Sequence, residues 1–236
     1  VVDQGFVYLD SVLSLTLPVQ KLPVQKAADV LAFAHYVKAL SGRADVPAML
    51  ALAANSAHLD AFSLANLALA LQAAQPAAAQ TLLDALILRA EVQGGHAHWP
   101  LVEEGQDWRW WQTMPSAEKN TAQALAALAA LRPHHPLLPQ AVRWLMQRRQ
   151  GAGWSNTQAT AFAVLGLVDV IRSGAELESS YSYTVTLNGG PLAQGVVTPQ
   201  TASNPLAPLQ IAGSALRVGE NELTFARSPG AGNLYY

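Results

Sequence analysis

The stretch "GGHAHWPLVEEGQDWRWWQTMPSAEK", residues 94–119, is dense in side chains that could do chemistry. His96 and His98 flank a single Ala, Glu103, Glu104 and Asp107 follow, and Trp99, Trp108, Trp110 and Trp111 stand among them. Two histidines and a carboxylate could ligate a metal, but the spacing matches no zinc signature. The other pair, His134-His135, sits between Pro133 and Pro136 and reads as an exposed turn. No metal and no cofactor is therefore expected. Exposed aromatics often anchor interfaces, so Trp108, Trp110 and Trp111 are candidates for contact with a protein partner; the plainer reading is a short lid folded over the core. Three further acids, Asp29, Asp60 and Glu118, open apolar stretches. Two carboxylates facing each other in a barrel mouth would suit a hydrolase or lyase. Helix capping accounts for Asp60, and a first-turn position accounts for Glu118, without any catalysis.

The rest of the composition narrows the classes. Cysteine is absent, which removes disulfides, thiolate catalysis and Cys-ligated zinc together. The net charge is −2, and no basic block exceeds Arg148-Arg149, so binding to nucleic acid through charge is disfavoured. Residues 61–83 carry no charge, but Asn66, Gln72, Gln75 and Gln80 interrupt them and Pro76 breaks them. A buried helical hairpin fits better than a membrane span. With no initiator Met, no signal peptide and an end in "GAGNLYY", the chain is expected to be part of something longer.

The elements that must position these residues follow from repeats. "KAADVLAFAHYVKAL" (26–40), "DAFSLANLALALQAA" (60–74), "EKNTAQALAALAAL" (118–131) and "SNTQATAFAVLGLV" (155–168) share one texture, apolar nearly all round. Between them lie helices with one wet face. Val142, Leu145 and Met146 oppose Gln140, Arg143 and Gln147; Leu82, Leu83, Leu86 and Ile87 oppose Gln80 and Asp84. "FVYLDSVLSL" and "VPAML" complete the set. A helix apolar on every side belongs inside a ring of others, so the alternation reads inner, outer, inner, outer. That is an α/α toroid, here partial. A helical-repeat solenoid is the competitor, but the spacing of equivalent positions drifts along the chain.

On this reading Phe162 and Leu165 are sheltered, and an incomplete ring bares an Ala/Leu-rich wall near Lys26 to Leu40. Ser155 with Gln158 fits a capping box. Asp45 before Val46-Pro47 starts a helix, while Gly42 and Gly174 end two. Gln93-Gly94-Gly95 and Gln150-Gly151 open two turns that end in Trp99 and Trp154. There Gly is expected to end the outer helix and Trp to plug the rim. After Gly174 the texture changes to "YSYTVTL", "NGG", "QGVV", "LQIAG", "NELTFAR" and "NLYY", an all-β segment whose Asn188-Gly189-Gly190 marks a hairpin. The fold class is thus mainly α, with a partial toroid over 1–174 and a small β segment over 178–236.

The turns ending in Trp, "WSNTQATAFAVLGL" and the closing "GAGNLYY" resemble the alpha-2-macroglobulin and complement superfamily, most closely its bacterial members. Gly153, Trp154, Ser155, Thr157 and Gln158 are similar to that family's W-x-[ST]-T-Q-x-T helix start, with Ala159 where an acid is common. "ALAALAALRPHHPLLPQAVRWLMQRRQGAGW" resembles the helix pair before that motif. The resemblance implies the later part of a thioester-containing toroid domain and a return into an incomplete, CUB-like β-sandwich. It also implies a protease-trapping inhibitor outside the cytoplasm, extracellular or periplasmic. Its partners would be a target protease and the rest of the parent chain, with no nucleic acid and no stable membrane insertion. Such a protein is not an enzyme, and no catalytic residue carries over. The thioester of the family needs Cys-Gly-Glu-Gln, which this cysteine-free chain does not contain. The motif is then expected upstream of Val1, or trapping is steric. The rivals are a toroid hydrolase or lyase with its site in 93–114, and a non-catalytic protein-binding scaffold.

Overall fold

A computed structural model describes residues 2–14, 24–101, 114–174, 178–202, 204 and 209–232. The chain divides into two compact units, Val1–Val170 and Ile171–Tyr236.

The first unit begins with α1 (Val2–Leu13), α2 (Val24–Leu40) and α3 (Val46–Ala53). Next come α4 (Ala61–Leu71), α5 (Pro76–Ile87) and a hairpin of β1 (Glu91–Gln93) and β2 (His96–His98). It closes with α6 (Ala117–Leu131), α7 (Leu137–Gln147) and α8 (Thr157–Ser173). Starts and stops follow local chemistry. Asp45 accepts the Ala48 N–H at 3.1 Å with proline in the first turn of α3, Asp60 accepts that of Ser63 at 2.7 Å, and Ser116 accepts that of Lys119 at 3.0 Å. Each satisfies one orphan donor of a helix start. Gly42, at φ +74°, turns the chain just after α2. Pro76 opens α5, so residues 61–87 fold as a helical hairpin. No helix among the described residues is long and apolar enough to cross a membrane.

Burial divides the helices as their patterns require. In α4 ten residues from Ala61 to Leu71 are buried, with Leu64, Leu67 and Leu71 fully so; each such leucine contributes about 1.5–3 kcal/mol. In α6 every residue from Lys119 to Ala129 is buried. By contrast, α5 buries only Ala79, Leu82, Leu83 and Leu86, one stripe of its surface. The helix α7 buries Leu138, Ala141, Val142, Trp144 and Leu145. Met146, expected in that stripe, is 42% exposed, because Trp144 fills the face and stacks parallel on His98 at 4.7 Å. Sheltered and half-wet helices therefore alternate from α4 to α7, whereas α2 and α8, expected to be sheltered too, bury only one side each: Ala28, Ala32, Ala34 and His35 in α2, and Ala159, Ala163, Gly166 and Val170 in α8. The inner helices meet one another. Phe33 of α2, Phe62 of α4 and Phe162 of α8 join in one ring cluster, with centroid separations of 5.2–6.0 Å. Gly166 brings α8 against α6 so closely that a Cβ there would lie 2.4 Å from the Ala122 carbonyl oxygen.

Two expectations fail at the last inner helix. Phe162 is packed as expected, but Leu165 is 60% exposed and Val164 49%. The bare apolar wall thus lies on α8 as well as on the α2 side, where Phe33 is 37% exposed. The buried stripe of α8 is Ala159, Ala163, Gly166 and Val170, with Phe162 beside it against Phe33 and Phe62, and Val164 and Leu165 fall on the exposed side. The capping box is also displaced by one residue: Asn156, not Ser155, accepts the Ala159 N–H, at 2.8 Å.

In the second unit β3 (Tyr181–Leu187), β4 (Gly190–Val197) and β5 (Leu223–Arg227) form an antiparallel sheet in the order β4-β3-β5. Asn188 and Gly189, both at positive φ, make the tight turn that the Asn-Gly pair favours. Gly195 lies opposite Tyr183, whose ring occupies the space that a side chain there would need. "LQIAG" is not a strand: it joins neither outer edge of the sheet, and Leu209 and Ile211 stay exposed. "NLYY" lies outside the described residues.

Replacing Gly166 by Ala must push α8 off the α6 backbone. We expect a loss of about 1–3 kcal/mol in urea unfolding of the helical unit. The same change at Gly5, inside α1 where a side chain meets open space, should cost nothing and instead stabilise by up to about 1 kcal/mol.

Candidate functional site

The starts of α4, α6 and α8 share one rim with the turns that lead into them, and the polar chemistry of the helical unit collects there. Two of these turns are built alike. The Trp99 indole N–H donates to the Leu86 carbonyl of α5 at 2.7 Å, and its backbone N–H donates to Thr121 Oγ1 of α6 at 3.1 Å. The Trp154 indole donates to the Leu145 carbonyl of α7 at 2.7 Å, and its backbone N–H donates to Thr160 Oγ1 of α8 at 2.9 Å. Each Trp thus ties the last turn of an outer helix to the first turns of the next inner one. The glycines act differently from expectation. Gly94 and Gly95, both at positive φ, turn the β1–β2 hairpin rather than end α5, which stops at Ile87. Gly151 does the same in miniature, where Gln150 and Gly153 bridge. Gly153 is needed because a Cβ would fall 2.8 Å from Thr160 Oγ1, the atom that receives Trp154.

Inside the rim lies a charged group. Asp29 of α2 accepts the Ser63 hydroxyl at 2.6 Å and meets the carboxyl of Asp60, the residue that caps α4. Burial, and then the Asp60 charge, push the Asp29 carboxyl up to about 8, while the Ser63 hydrogen bond and Lys119 pull against them. Lys119 of α6 is buried, with its ammonium 4.2 Å over the Phe62 ring. Its Nζ donates to Gln158 Oε1 of α8 at 3.5 Å. Burial holds Lys119 below its ordinary value, against the pull of Asp29 and Asp60. Deeper between the helices, Gln123 of α6 donates to Asn66 of α4 at 2.8 Å, and Asn66 donates to the Phe62 carbonyl.

Of the three acids that open apolar stretches, the fold brings two together. Asp29 and Asp60 meet; Glu118 turns away and accepts the Ser155 hydroxyl at 3.1 Å. Within the Gly153–Gln158 motif, the side chains of Ser155 and Gln158 therefore tie α8 to α6 rather than cap α8. Lys119 and Ser63 were not singled out from the sequence. The available signal was a lysine in the first turn of a helix that becomes wholly apolar after Gln123. His98 lies 3.6 Å from Glu91, the residue paired with it across the hairpin, and His96 faces the Gly94 carbonyl. Among the described residues no group of three His, Asp or Glu side chains could hold a metal ion. Glu103, Glu104, Asp107, Trp108, Trp110 and Trp111 lie outside the described residues.

The two tryptophan joints differ in shelter: Trp99 is fully buried and Trp154 only half. Trp99→Phe removes the indole donor from the Leu86 carbonyl, which keeps the Arg89 N–H at 3.1 Å, and leaves a gap in a fully buried site; it should cost about 1–3 kcal/mol. Trp154→Phe should cost less, since Trp154 is only half-buried and gives up less packing. Denaturation midpoints of the two variants, measured side by side, check the order.

This geometry can be set beside known proteins. The family model of the A-macroglobulin TED domain matches residues 24–169. The structure of Escherichia coli alpha-2-macroglobulin activated by porcine elastase is similar, with a TM-score of 0.53 at 16% sequence identity. The similarity covers 84% of this chain and 17% of that one, so this chain spans only a small part of its length. No curated protein sequence matches. The matched span runs from the start of α2 almost to the end of α8, through every inner helix and both tryptophan joints, and on that ground the chain belongs to the A-macroglobulin TED family.

Proposed function

We propose that this chain is part of an alpha-2-macroglobulin-like protein that traps proteases outside the cytoplasm, in the extracellular space or the periplasm. The observation that carries this reading is the family match over α2 to α8. It is supported by the structural relative, an alpha-2-macroglobulin in a form activated by a protease, elastase. In this reading the helical unit is a scaffold and not an enzyme. Two fully buried inner helices and the tryptophan joints make it stiff, which suits a domain carried as a body when a larger molecule rearranges. The β unit would be one portion of a β-sandwich that the parent chain completes. Partners are the target protease and the remaining parts of the parent protein. The chain has no cysteine, so a thioester would have to be supplied by residues outside it, or trapping would be steric.

The test uses the parent protein that carries this chain, incubated with elastase. Activity on a large protein substrate should fall at least tenfold, while activity on a small peptide substrate persists, because an entrapped protease keeps its active site but loses access to bulky substrates. Equal activity on both substrates, with and without the parent protein, overturns the reading.

A further inference from the structure

We propose that Asp29 of α2 and Asp60 of α4 share a single proton, and that this proton is a latch holding the first inner helix to its neighbour until alkali removes it. The argument starts from valence. Ser63 bridges the two carboxyls, its hydroxyl donating to Asp29 at 2.6 Å and its N–H to Asp60 at 2.7 Å, and so holds them beside each other. Two carboxylates are acceptors only, so a hydrogen bond between them requires a proton on one. The surroundings say which. Asp60 already accepts the Ser63 N–H at the start of α4, where a helix favours an anion. Asp29 has the Ser63 hydroxyl at 2.6 Å, and its burial disfavours charge. Asp29 is thus the partner that carries the proton.

The groups facing the pair are few. From α4 come Asp60 and Ser63, and from α6 comes Lys119, the one cation among the groups that act on Asp29. Lys119 is itself held by Gln158 of α8 and the Phe62 ring. With the proton in place, one carboxylate faces one ammonium. Without it, two buried carboxylates compete for the same ammonium, and the Asp29–Asp60 bond becomes a repulsion. That contact lies on the α2–α4 seam, close to the Phe33–Phe62 contact that joins the same two helices at 6.0 Å.

The sign follows. In the unfolded chain Asp29 loses its proton near its ordinary value of 3.8; in the fold it keeps it to about 8. Between these values the folded state binds the extra proton. The contribution of the pair is therefore complete below about 4 and is lost as pH rises through about 8. Most carboxylates behave in the opposite way. Lys119, held below its ordinary value, acts with the opposite sign, so the Asp29 effect must be read as a difference between variants.

The experiment compares this chain with Asp29→Asn, whose amide can donate to Asp60 and accept from Ser63 at every pH. Thermal midpoints are measured from pH 5 to 9, with carboxyl-carbon NMR titration of the wild type. We expect the wild-type midpoint to fall relative to the variant as pH rises across this range. We also expect one Asp carboxyl to titrate near 8 in the wild type and to be missing from the variant. Amide exchange in α2 should then be faster in the wild type than in the variant at pH 9, and equal at pH 5. The proposal is overturned if every Asp titrates in the ordinary carboxylate range, or if the two midpoints keep a constant difference. Should Asp29→Asn fail to fold, the wild-type titration decides alone.

Discussion

A helix with no wet face cannot exist by itself in water, and two such helices, α4 and α6, sit at the centre of this protein. Exposing their leucines and alanines would forfeit the main favourable term in folding. The helices α2, α3, α5, α7 and α8 pack against one or the other of them, and α1 packs on α2. The single apolar stripes of α5 and α7 suffice because those helices have one dry side to offer. The small residues of the inner helices matter as much as the large ones: Ala122 and Gly166 let two backbones come close enough that one extra carbon would not fit. Close approach and full shelter are one constraint seen from two sides.

That constraint makes polarity inside the ring expensive, and the structure shows how the cost is met. Asn66 and Gln123 satisfy each other across α4 and α6 and use a backbone carbonyl for the remainder. Lys119 buries its stem, and its charge rests on an aromatic face, an amide oxygen and the two acids. Asp29 meets the same cost by giving up its charge. The charged groups gather at the rim because helix starts provide donors and favour anions there, whereas the middle of α4 and α6 offers neither.

The tryptophan joints connect the two layers. An outer helix ends, a glycine turn follows, and an indole reaches back to the carbonyl it has just passed while its own N–H holds a threonine ahead. Repeating this device at Trp99 and Trp154 fixes the step from outer to inner helix twice with the same bonds. Its residue types were visible in the sequence as turns ending in Trp. Its partners were not, because Leu86, Leu145, Thr121 and Thr160 look like ordinary helix residues in any local window.

Local chemistry by itself determined the elements of this chain: the alternation of all-apolar and one-sided helices, the caps at Asp45 and Asp60, the break at Pro76, the change to strands after Gly174 and the Asn-Gly turn. These depend on neighbours within a turn or two, which the sequence displays directly. Tertiary structure alone decided that Asp29 meets Asp60 while Glu118 turns to Ser155. It also decided that Asn156 takes the cap expected of Ser155, that "LQIAG" joins no sheet, and that Leu165 faces outward on a helix as apolar as its sheltered siblings. The physical reason is common to all of them. Which side of a helix is covered, and which charges share a buried space, are set by elements far along the chain whose arrival no local pattern encodes.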